Sequence, residues 1–243
     1  MSSQKSVQSI IGKFSDGLKV LDGLISYKPS RAELTLISLT GLKVNTEMKN
    51  SAAVTAETNL SGLQKDRKLI SFKAKDSASD CIENRIKEIS NYVKAEFGKN
   101  NPSYLKITSI IAKIAPPSEK KAAPAEGEVA KVVRSKSEKS FQSLVGFGND
   151  ICTIISDLGA KYNPSNTNIT LVNFKAKVDA LAALNEQIVT AETAYSAAVK
   201  DRHEAYYGTL GIVNLISAVK DYLAGLEGGK KNSGYIAFTN AVK

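Results

Sequence analysis

The segment NSAAVTAETNLSGLQKDR, residues 50–67, returns as NEQIVTAETAYSAAVKDR, residues 185–202, with ten of eighteen positions identical at an offset of 135 and no gap. Such density of identity at one fixed offset marks an internal repeat. Working outward, the match continues in both directions. Lys5, Ser6, Gln8 and Ser9 are answered by Lys139, Ser140, Gln142 and Ser143, and the Tyr27, Pro29, Ser30 turn by Tyr162, Pro164 and Ser165. Tyr92 is answered by Tyr222, and Tyr104 and Thr108 by Tyr235 and Thr239. The chain of 243 residues therefore reads as a tandem duplication: a first helical repeat at 1–114, a linker at 115–134 and a second repeat at 135–243.

Apolar spacing makes each repeat helical. Val7, Ile10, Ile11, Phe14, Leu18, Leu21, Leu24 and Ile25 recur three and four apart, which predicts an amphipathic helix running to Ser26 and stopped by Pro29. Ser30 followed by Glu33 reads as a capping box opening the next helix. That helix has no evident stop before Lys73, a run of about forty residues and roughly 60 Å. A polar break at 74–79 follows, with caps at Asp76 or Ser77. Ile82, Ile86, Ile89, Val93 and Phe97 then predict a third helix ending at Gly98, and Tyr104 to Ile111 a short fourth one, though its β-branched content leaves a strand open. In the second copy the long helix runs to about Tyr207, and the third, from Ile212, is expected to end at Gly228. The first helix should fold back along the first half of the long one and the third along its second half. Two layers are too thin to cover such apolar stripes. The expectation is that the repeats close them against each other or against other molecules.

Residues 115–128 hold three of the six prolines and almost no bulky apolar group, so they read as an extended linker with a reach of roughly 40 Å. The net charge of +9 rests on lysine far more than on the five arginines, Arg31, Arg67, Arg85, Arg134 and Arg202. Cys81 and Cys152 are too few for a disulfide framework or zinc site and read as small buried residues. The N-terminus lacks a secretory signal and no stretch is long enough to span a membrane, so a cytoplasmic location is expected.

Lys65, Arg67, Lys200 and Arg202 are the candidate contacts, for assembly or for a polyanion. Three readings compete: a packing or intersubunit contact made twice, a solvated face, and phosphate or nucleic-acid binding. The interposed Asp66 and Asp201 and the absence of interleaved aromatic residues weigh against the last. Alanine at Arg67 or Arg202 is expected to weaken assembly more than the isolated fold. Thr55 and Thr58 flank Glu57 without a second carboxylate or a histidine, which points to a helix-packing surface with Ala52, Ala53 and Ala56 rather than catalysis. His203 aligns with Lys68, so no metal or general-base role is assigned to it. Tyr27 and Tyr162 read as staples in a helix-hairpin turn.

The composite expectation is an all-α, non-enzymatic, cofactor-free and metal-free structural subunit that associates with itself in a filament, tube or lattice. The alternative is a basic accessory protein binding nucleic acid or another polyanion, and an enzyme or small-ligand site between the repeats is a distant third.

Overall fold

A computed structural model describes residues 4–72, 80–114 and 140–243; the expected polar break at 74–79 and the expected linker at 115–134 lie outside them. Among the described residues helix is the regular structure, joined by turns and with no strand: α1 (Gln4–Asp22), α2 (Leu36–Ser71), α3 (Ile82–Phe97), α4 (Pro102–Ile114), α5 (Phe141–Asp157), α6 (Leu171–Tyr207), α7 (Ile212–Ala224) and α8 (Ser233–Ala241). The segment from Tyr104 is thus helix, and α3 ends where its spacing predicts, at Gly98 with φ 85°.

Three expected boundaries move. α1 stops at Asp22, four residues early, and tight bonds from Leu24 N–H to Leu21 and from Tyr27 N–H to Leu24 turn the chain, leaving Ile25 in solvent. The expected capping box at Ser30 is not made. The Glu33 carboxylate is taken by the Arg31 guanidinium at 2.8 and 3.1 Å, and residues Ala32–Leu34 form a 3-10 turn. Thr35 caps α2 instead, its hydroxyl accepting from Ser38 N–H, and Thr170 caps α6 in the same way from Asn173 N–H. α7 closes at Gly225 rather than Gly228, whose left-handed φ of 86° opens the next 3-10 turn.

Two compact units are present, Met1–Leu60 with Ala191–Lys243, and Ser61–Thr190. This partition differs from 1–114 and 135–243. Each unit draws on residues of both expected repeats, and Ile114 and Ser140, the nearest described residues on either side of the expected linker, belong to one unit.

In the first unit, Ile11, Phe14, Leu18 and Leu21 of α1 share a core with Leu39 of α2, Tyr206 of α6, Ile212, Leu215, Val219 and Leu223 of α7, and Phe238 of α8. α1 lies so close along α8 that a Cβ at Gly17 would stand 2.7 Å from Val242. The second unit joins Ile82, Ile86, Ile89 and Val93 of α3 to the inner faces of α4, α5 and the start of α6. Each fully buried Ile, Leu or Phe contributes about 1.5–3 kcal/mol. The stripes of α1 and α3 are thus covered inside the chain, by helices of their own half of the sequence and of the other half together.

Two glycines of α5 test this packing. A Cβ at Gly148 would meet Val178 at 2.6 Å, whereas Gly146 has nothing within 4 Å. Gly148→Ala is expected to destabilise by about 1–3 kcal/mol through overpacking. Gly146→Ala should stabilise by about 0.5–1 kcal/mol through helix propensity. Thermal unfolding of the two variants should show opposite signs.

Candidate assembly contacts

The repeated basic residues have different surroundings in the two units. Arg67, near the end of α2, lays its guanidinium over the Phe141 ring at 4.0 Å, beside Phe72, and its buried Nε has no hydrogen-bond partner. Its charge is held by the face of an aromatic ring. Lys65 is exposed on the same helix. In the other unit, Asp201 accepts from Lys49 of α2 at 2.7 Å, which holds the Asp201 carboxyl below its ordinary range. Lys200 is exposed, and the half-buried Arg202 lies near enough to Tyr206 to oppose the upward shift that burial imposes on that phenol. Arg67 therefore belongs to the surroundings of α5 and Arg202 to those of Tyr206, while Lys65 and Lys200 lie exposed. His203 is exposed against Tyr207, with ring centroids 5.1 Å apart.

The threonine words face outward. The Thr58 hydroxyl donates to the Val54 carbonyl and that of Thr190 to Glu186, so both are satisfied by their own helix. Ala53 is fully buried, Ala56 half-buried and Ala52 exposed, so only part of the expected small-residue surface is covered. Among the described residues, no group of three or more His, Cys, Asp or Glu is placed to hold a metal ion. None of their helices is long and apolar enough to cross a membrane.

Two features escaped the reading of the sequence. The first is a set of exposed aliphatic residues at matched positions. Ile37 and Val172, in the first turns of α2 and α6, are 87% and 76% exposed, and Leu105 and Ile236, in α4 and α8, are 55% and 47% exposed. Each unit carries one residue of each pair. The signal was present: Leu36-Ile37 and Leu171-Val172 are adjacent apolar pairs, and two neighbours on a helix cannot both face one core.

The second feature is a charged cluster in the second unit. Arg85 of α3 is buried, forks onto Asp80 at 2.6 and 2.9 Å, and donates its third bond to the Asn173 carbonyl at 2.7 Å. Lys177 of α6 donates to the same carboxylate and to the Asp80 carbonyl. The Arg85 bond, with Lys177 added, holds the Asp80 carboxyl far below its ordinary value of 3.8. In the first unit, buried Leu215 matches the position of Arg85.

Arg67→Ala is expected to lower the stability of the second unit by about 1–2 kcal/mol through the lost ring contact, while Lys65→Ala changes it by less than about 0.5 kcal/mol. Chemical denaturation of the two variants makes the comparison. Asp80→Asn leaves Arg85 buried beside a neutral group and should destabilise by about 1–2 kcal/mol at neutral pH, reduced because Asp80 is half exposed. Because folding lowers this pKa, the contribution is fully present above the unfolded value near 3.8 and is lost as pH falls below it. Melting temperatures of the two proteins should therefore stay apart from pH 6 down to about 4 and draw together only as pH is lowered further, below 3.8.

No family model matches this sequence, and neither the curated proteins nor the solved structures compared with it include a match.

Proposed function

We propose that this chain is a non-catalytic structural subunit that associates with copies of itself. The observation that supports this is the pair of matched aliphatic residues in each unit, Ile37 with Ile236 and Val172 with Leu105. Leaving one large aliphatic side chain in water is ordinary; leaving the same two positions uncovered in both units is a repeated feature. Two like surfaces on one chain give each molecule two places to meet a neighbour, which extends an assembly unless rotation closes it.

The earlier ground for self-association, an apolar stripe left open for want of a third layer, no longer supports the reading, because the cores of the units cover those stripes. Polyanion binding rests on the +9 charge alone. Arg67 is spent on a ring and Asp201 neutralises Lys49, which does not favour a cationic binding face.

Light scattering on a size-exclusion column tests the proposal. The wild-type chain should elute above its monomer mass of 26.0 kDa, with a state that depends on concentration and little on salt. The Ile37→Asp, Val172→Asp double variant should run as a monomer with an unchanged melting temperature. A wild-type monomer at every concentration would remove this reading.

A further inference from the structure

We propose that a second copy of this chain can take the place of either partner inside the compact units, so that copies join by exchanging their α3–α4 and α7–α8 segments. The proposal rests on two contacts of the same form. Tyr27 meets Tyr222 edge to face, with centroids 5.3 Å apart and planes at 88°, and Tyr162 meets Tyr92 at 5.2 Å and 86°. The Tyr27 hydroxyl donates to the Leu34 carbonyl at 2.5 Å, and that of Tyr162 to Ile169 at 2.7 Å, each seven residues ahead.

The residues beneath these contacts correspond in the same crossed sense. Leu34 and Leu39 are buried with Ile212, Val219, Leu223 and Phe238; Ile169 and Phe174 are buried with Ile82, Ile89, Val93 and Ile107. In both units the α1–α2 type of segment comes from one sequence copy and the α3–α4 type from the other. Such a surface is the interface of two like molecules drawn inside one chain.

Nothing in these contacts requires both partners to lie on one polypeptide. Covalent connection only raises their effective concentration, to the millimolar range for a flexible tether, and folding at comparable protein concentration lets a second chain compete. The pairing stays selective. Arg85 and Lys177 share the Asp80 carboxylate in one unit, where the other has Leu215 and Leu42 packed at the matched positions, so α3–α4 from any chain fits α5–α6 and α7–α8 fits α1–α2. Reciprocal exchange gives a closed dimer, and sequential exchange gives an open chain. This mode is independent of the exposed aliphatic pairs, so each can fail without the other.

The test uses full-length chains with Cys81→Ala and Cys152→Ala. One carries Tyr27→Cys and the other Tyr222→Cys; they are unfolded and refolded together at rising concentration and treated with a short bis-maleimide. The expected result is a product of about twice 26.0 kDa from the mixture only, increasing with concentration and persisting when Ile37→Asp and Val172→Asp are added. No such product, while a single chain with both substitutions still closes internally, overturns the proposal. If that control does not close, a protease site placed within residues 115–139 of the otherwise unaltered chain decides. Halves that co-elute after cleavage and exchange with differently tagged halves on joint refolding support the proposal; halves that separate, or never exchange, overturn it.

Discussion

Each compact unit depends on an aromatic ring that crosses from one copy of the sequence to the other. Tyr27 and Tyr162 are placed by their own turns, where a phenol hydroxyl fastened to a carbonyl seven residues on holds a 3-10 turn ahead of a long helix. The ring so fixed then offers its neighbour an edge-to-face contact, worth about 0.5–1.5 kcal/mol beyond the area it buries. Burial pushes the Tyr27 phenol up to about 12 and raises that of Tyr162 further in the same direction, so both hydroxyls remain donors across the physiological range. Around these contacts the α1 and α3 stripes find cover that a lone repeat of two layers does not provide.

The two units solve one packing problem with different chemistry. At matched positions one has Leu215 and the other Arg85, and both side chains are buried. The leucine needs only neighbours. The arginine needs the Asp80 carboxylate to balance its charge and the Asn173 carbonyl to take its third bond; Lys177, a second cation, shares that carboxylate, and removing the carboxylate leaves both cations uncompensated. An ionic contact of this kind is a weak source of stability and a strong source of selectivity, since a partner lacking its counterpart is rejected.

The basic residues that recur in both copies illustrate how identical words acquire different surroundings. Arg67 stacks on Phe141, whereas Arg202 lies near the buried phenol of Tyr206. The self-association proposal stands on matched aliphatic residues that remain in solvent, Ile37 with Val172 and Leu105 with Ile236.

The sequence by itself determined the helices, because apolar spacing of three and four and a glycine at the end of α3 act within a few residues of where they stand. It also marked Tyr27 and Tyr162 as turn staples, since their bonds are local. Boundaries shifted where a competing local bond won, as when Arg31 captured Glu33 and left the cap to Thr35. What only the tertiary structure decided was which helix covers which. A stripe of isoleucines records that something apolar must lie against it but carries no address. Because the two copies are so alike, pairing within a copy and pairing across copies satisfy the same pattern. The meeting of Lys177 with Asp80 and Arg85 was hidden for the same reason, since Lys177 lies 97 residues from Asp80 in the chain.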